Sequence, residues 1–214
     1  MKVIKCHDKK NVCKRCDLPQ KEVDEIVSVL KSGGLVVFPT DTLYGIGADP
    51  FNENSVKKVY IAKNRPFDMP LSIAVSNEKM MESVTVLNDK ARKLIRRFLP
   101  GPLTIMLTKK PTIPDILTSG SNQVGVRIPD HPLALRIIDK FGPITATSAN
   151  LHSRPDPVEA SIPLKDLKNH AKICIDCGRT KYSTPSTIVD VSDGEAEIIR
   201  KGAISQEEIE NALG

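Results

Sequence analysis

The stretch Phe38–Asp49 reads FPTDTLYGIGAD and follows the apolar run LVVF. Thr40, Asp41, Thr42 and Tyr44 thus place three hydroxyls and a carboxylate at the end of an expected buried strand, where open α/β sheets bind ligands. Gly45 and Gly47 are expected to let the backbone approach a ligand closely. Two phosphate-loop readings fail here. A dinucleotide fingerprint needs a further glycine where Pro50 stands, and no Gly-Lys-Ser/Thr follows a glycine-rich loop anywhere in the chain. Lys63 and Arg65 form a second cluster, where Pro66 bars a helix from continuing. Ser148 and Asn150 follow the apolar start of ITATSAN. Arg127 lies inside VGVRIP, and an arginine in such a strand is rarely buried without an anionic partner. Ser186 opens STIVDV, and Arg200 sits in EIIRKG. These are cations and hydroxyls beside apolar strands, with few carboxylates and no convincing His or Cys nucleophile. Such a set suits an anionic substrate whose chemistry needs placement and charge neutralisation, as phosphoryl and nucleotidyl transfer do.

The elements that must position these residues alternate along the chain. KEVDEIVSVLKSGG puts Val23, Ile26, Val27 and Leu30 on one helical face, with a Gly33-Gly34 stop. NSVKKVYIAKN, NDKARKLIRRFLPG and HPLALRIIDKFG read as further helices, and the last helix opens with the capping-box spacing of Ser205 and Glu208. LVVF, PLSIAV, LTIMLT, VGVRI, ITATS, KICID, STIVDV and EIIRK read as strands. The alternation implies an α/β domain, and the late run of strands implies a mixed sheet. The Pro-rich segment 151–164 reads as one long loop, of the kind that often serves as a lid.

Composition narrows the setting. The chain of 214 residues carries +5, but six of its 31 Lys/Arg and one of its 26 Asp/Glu lie within residues 1–16, so the other 198 residues balance. The excess belongs to an expected N-terminal tail (1–19), ahead of a single domain (20–214). Such a tail permits contact with a polyanion such as tRNA but is also read as simply solvated. No apolar run is long enough to span a membrane, and the N-terminus lacks a signal peptide's apolar segment, which places the protein in the cytoplasm. Five cysteines suit a reducing compartment; Cys13/Cys16 and Cys174/Cys177 have metal-ligand spacing, with free thiols as the plainer reading.

FPTDTLYGIGADP, Lys63-x-Arg65 with Ser148-x-Asn150, PGPLTIML, VGVRIPDHP and STIVDV with IIRKG resemble the YrdC-type family, the threonylcarbamoyl-AMP synthases, over about residues 20–205. The resemblance implies an open, twisted mixed sheet flanked by helices around a concave basic cavity. It implies that L-threonine, bicarbonate and ATP give threonylcarbamoyl-AMP and pyrophosphate for t6A modification of tRNA, with a downstream threonylcarbamoyl transferase complex taking the product. Thr42, Arg127 and Ser186 match positions that hold threonine, with Arg127 expected to grip its carboxylate in a two-pronged pair. Lys63, Arg65, Ser148, Asn150 and Arg200 match the ATP side, where Lys63 and Arg65 are the expected catalytic cations, and Mg2+ is expected to accompany ATP with no protein ligand assigned. Met69, Ala74, Gln123 and Asp156 stand where many members carry Asn, His, Thr and Ser. An RNA-binding protein is the alternative, set back by 4% aromatics and no Trp. A carbamoyl-AMP-forming domain is a second rival, although the acylphosphatase and zinc-finger segments that accompany such domains are not found in this chain.

Overall fold

The computed structural model describes residues 1–6, 18–193 and 195–214. In chain order, β1 (Lys2–Lys5) precedes α1 (Gln20–Lys31), β2 (Val36–Phe38), β3 (Gly45–Gly47), α2 (Glu53–Lys63) and β4 (Ile73–Ala74). Next come α3 (Glu78–Val84), α4 (Asp89–Phe98), β5 (Leu103–Thr108), α5 (Asp115–Thr118), β6 (Gln123–Arg127) and α6 (Pro132–Phe141). The chain continues through β7 (Ile144–Thr145), β8 (Thr147–Ser148), α7 (Ser161–Asp166), β9 (Ile173–Asp176), β10 (Thr187–Asp190), β11 (Glu197–Arg200) and α8 (Gln206–Leu213).

The strands pair into two mixed sheets, in the orders β1-β9-β2-β3-β8 and β11-β10-β5-β6-β4-β7. ITATS, expected as one strand, is broken at Ala146: Thr145 pairs with Ile73 in the second sheet, whereas Thr147 pairs with Ile46 in the first. The Thr145 hydroxyl fastens this crossing, donating to the Ile46 carbonyl at 3.1 Å and accepting from the Ala48 amide at 2.9 Å. α1 and α6 cover one face of the first sheet. Val23, Ile26, Val27 and Leu30 meet Leu133, Ala134, Ile137 and Ile138 above Val36 and Ile173, each buried side chain of the larger kind contributing about 1.5–3 kcal/mol. Val37 and Cys174, at alternate positions of the same strands, face the larger core on the other side.

One expectation changes and another gains a second part. Lys2–Lys5 is not free tail: β1 runs parallel to β9, with Val3 opposite Cys174. The glycines of β3 also have a different use. In the β2–β3 register Phe38 lies opposite Gly45, and a Cβ on Gly45 would stand 2.9 Å from the Phe38 ring, so these glycines make room for that ring.

The cysteines divide by strand alternation. Cys174 is a buried free thiol, pushed up to about 12 by burial. Cys177, on the opposite side, is disulfide-bonded to Cys6 across 171 residues, so Cys174 and Cys177 do not form a ligand pair, and Cys6 and Cys177 are not free thiols. Cys13 and Cys16 lie outside the described residues. Among the described residues no three His, Cys, Asp or Glu side chains are grouped to hold a metal, and no helix is long and apolar enough to cross a membrane.

Candidate active site

Beyond β2 the chain turns through Thr40–Leu43, and Thr40 makes the turn. Its hydroxyl donates to the Leu43 carbonyl at 2.6 Å and accepts from the Thr42 and Leu43 amides. The turn delivers Asp41 and Thr42 to Arg127, at the end of β6. Arg127 donates to the Thr42 hydroxyl and to the Asp41 carboxylate, each at 2.7 Å, and to the Gly101 carbonyl at 3.1 Å. The anionic partner demanded by a buried arginine is therefore Asp41, which is 1% exposed. Burial pushes the Asp41 carboxyl above the ordinary carboxylate range, with Arg127 opposing that push. Three of the five N–H donors of Arg127 are used within the protein, and its Nε has no partner. The two terminal nitrogens already hold Thr42 and Asp41, so the two-pronged grip on a substrate carboxylate is not open in this arrangement.

α2 delivers Lys63 and Arg65 in opposite directions. It ends at Asn64, which takes a left-handed conformation at φ 49° and reverses the chain. Arg65 then folds back on its own loop, donating to the Met69 carbonyl at 3.1 Å and the Pro70 carbonyl at 3.0 Å, and lines a cavity. Lys63 is 1% exposed and points behind the wall. Its ammonium donates to the Ser148 carbonyl and to the carbonyl and side-chain oxygens of Asn150, the latter two at 2.8 and 3.3 Å. Burial, and then Arg65, pushes this lysine down to about 7. Expected as a catalytic cation, Lys63 has its three protons taken by the 148–150 turn and does not line the cavity in this arrangement. Asn150 likewise works from behind: it accepts from the Ser148 hydroxyl at 2.7 Å and donates to the Arg154 and Pro155 carbonyls at 2.8 and 3.1 Å. The expected loop 151–164 is thus tied down over its first part, and its end is taken up by α7.

The third group comes from β5, β10 and β11. Arg200 donates to the Ser186 carbonyl at 2.8 Å and hydroxyl at 3.1 Å, while the Ser186 hydroxyl sits 2.8 Å from that of Thr104. Gly202 permits this approach: a Cβ there would lie 2.4 Å from the Pro185 carbonyl oxygen and the Thr187 amide nitrogen. The three groups meet in one cavity of about 210 Å³ between the sheets, lined by Thr42, Arg65, Arg127, Ser148, Ser186 and Arg200 among others. Lys63 and Asn150 are outside that lining. Three residues that sequence reasoning left out of the site belong to it: Asp41, which orients Arg127; Thr104, which holds Ser186; and Asp156, an acid on the wall. The position of Asp41 between two threonines, and of Asp156 where many family members carry Ser, offered a signal for two of them; nothing in the sequence marked Thr104.

One cavity thus sets three arginines among hydroxyls at the meeting of the two mixed sheets of an α/β fold. The family model Sua5_yciO_yrdC, described as telomere recombination, matches residues 28–202, and the chain belongs to the Sua5/YciO/YrdC family. It is 40% identical over 200 residues to a putative threonylcarbamoyl-AMP synthase of Methanocaldococcus jannaschii, covering 92% of this chain and 95% of that one. The fold superposes on the crystal structure of P. abyssi Sua5 complexed with L-threonine with a TM-score of 0.93 at 33% identity, covering 100% of this chain and 61% of that one. The chain also covers 55% of the Pyrococcus abyssi threonylcarbamoyl-AMP synthase, at 37% identity. E. coli YciO shares the fold at 20% identity, with a TM-score of 0.83 over 97% of this chain and 98% of that one.

Proposed function

We propose that the protein synthesises threonylcarbamoyl-AMP from L-threonine, bicarbonate and ATP, releasing pyrophosphate. The observation that carries this reading is the convergence of the Thr42–Arg127 and Ser186–Arg200 pairs with Arg65 and Ser148 in one cavity. The relatives named threonylcarbamoyl-AMP synthases support it, and they do not favour RNA binding as the primary role.

In this reading threonine lies against Thr42, Arg127 and Ser186, its carboxylate meeting the second Nη1 proton of Arg127 rather than a free fork. Its amine and bicarbonate give a carbamate with loss of water. A carbamate oxygen then forms a bond to the α-phosphorus as the bond from that phosphorus to the bridging oxygen breaks, and pyrophosphate leaves with the electron pair. Arg65 and Arg200 face the phosphates and offset charge that grows on the leaving oxygens, an effect strengthened where water is excluded. Lys63 contributes by holding the 148–150 turn, so that the Ser148 side of the cavity keeps its shape as the nucleotide enters. Mg2+ bound with ATP supplies further charge neutralisation on the triphosphate. The product would pass to a threonylcarbamoyl transferase complex acting on tRNA, and any contact of the N-terminal segment with tRNA would be secondary.

Mass spectrometry of a reaction containing all three substrates tests the proposal. Threonylcarbamoyl-AMP is expected, and it should vanish when any one substrate is omitted. AMP and pyrophosphate formed without a threonine adduct would overturn it.

A further inference from the structure

The cavity carries one feature that its three arginines do not explain. Among the described residues that line it, Asp156 alone has a carboxylate. Nearby carboxylates are engaged: Asp41 accepts from Arg127 and the Asp130 amide, Asp130 pairs with Lys181 at 2.9 Å, and Asp166 accepts from the Leu151 amide at 3.1 Å. The Asp156 carboxylate enters no hydrogen bond or ion pair with the described residues, although its charge acts on Arg200.

Its position is nonetheless fixed. The Asp156 carbonyl accepts from the Val158 amide at 2.9 Å, and the Pro157 carbonyl accepts from the Tyr44 amide at 2.8 Å. Just upstream, Asn150 holds the Arg154 and Pro155 carbonyls, and Lys63 holds Asn150. An exposed carboxylate held at the wall of a phosphate cavity repels a bare triphosphate. It attracts a triphosphate that arrives with a cation. Mg2+ is commonly bound through one or two carboxylates together with substrate phosphates, keeping several waters. The lining fits that hard cation, since it offers carboxylate and hydroxyl oxygens and no thiol or imidazole.

From this placement we infer that Asp156 anchors the divalent cation of a cation–ATP complex at the cavity wall. The inference rests on the nucleotide reading above. It makes the cavity selective for the metal complex of the nucleotide over the free anion, with the carboxylate supplying attraction for one and repulsion for the other.

The test is equilibrium binding of a non-hydrolysable ATP analogue to the full chain, with Mg2+ and with chelator, for wild type, Asp156→Asn and Asp156→Ser. No turnover is involved, and because the residue is exposed both variants should keep the wild-type melting temperature. The wild type should bind at least about tenfold tighter with Mg2+, and the variants should show a difference below about twofold, with metal-free binding equal or stronger. Bound Mn2+, read by electron paramagnetic resonance with the analogue present, should weaken in parallel. An Mg2+ enhancement in the variants equal to that of wild type would overturn the inference and leave the phosphates as the cation's ligands. Failure of folded wild type to bind the analogue under either condition would instead overturn the nucleotide reading.

Discussion

Replacing Asp41 by Ala removes the only carboxylate that meets the Arg127 guanidinium among the described residues, and its consequence follows from the burial of both partners. Asp41 is 1% and Arg127 7% exposed, so neither charge is rescued by solvent. Breaking a buried pair from one side costs about 3–5 kcal/mol, a large share of the roughly 5–15 kcal/mol that holds a domain together. At about 2–4 °C per kcal/mol for a chain of this size, the melting temperature should fall by roughly 6–20 °C. The Asp130 amide also loses its acceptor, which works in the same direction. Burial raises Asp41 and lowers Arg127 while each partner's charge opposes the other's shift, so each charge depends on the other to stay buried. Removing both charges should therefore be milder than the sum of the single changes. Scanning calorimetry of Asp41→Ala, Arg127→Met and the double variant provides the cycle, with at least half of the summed loss expected back in the double. A shift below about 2 °C for Asp41→Ala, or strict additivity in the double, would refute the buried-pair argument.

Three further outcomes follow from the same contacts. Gly202→Ala forces a Cβ to within 2.4 Å of backbone, so we expect about 1–3 kcal/mol of destabilisation in thermal melts and a raised KM for ATP as Arg200 shifts from Ser186. Unchanged values of both would show that the 185–187 and 200–203 backbones are not held together. Gly45→Ala should lose a comparable amount, and adding Phe38→Leu should restore part of it; no rescue would deny the ring its role in placing β3. Lys63 titrates near 7 when folded, against an ordinary value of 10.5, so the unfolded chain binds more protons between those limits and stability should rise with pH across that window. The part of the rise due to Lys63 should disappear in Lys63→Met, and identical pH–stability slopes for the two proteins would contradict the assignment.

Long amphipathic elements were legible because their periodicity records one buried face. α1 buries Val23, Ile26, Val27 and Leu30, and α2 buries Val56, Val59 and Tyr60, as their spacing predicts. The capping box of Ser205 and Glu208 is also present. Short elements were not legible in the same way. β3 consists of Gly-Ile-Gly, whose two glycines are poor strand formers and lie against the Phe38 ring, and the break at Ala146 depends on two different pairing partners. The candidate site shows the same division. Residue types marked Thr42, Arg65, Arg127, Ser148, Ser186 and Arg200, and the fold brings all six to one cavity. The direction of a side chain is a tertiary property, however. Nothing local distinguishes Lys63, which turns behind the wall, from Arg65 two residues later, and Asp41 finds Arg127 across 86 residues. The tie between Cys6 and Cys177 depends in the same way on β1 lying beside β9.

The central claim is that this cavity joins threonine, bicarbonate and ATP. Pyrophosphate release from ATP by the purified protein, with threonine and bicarbonate omitted in turn, tests it most directly. Release that requires both is the predicted result. Release indifferent to either one, or none above background from folded protein, would contradict the account.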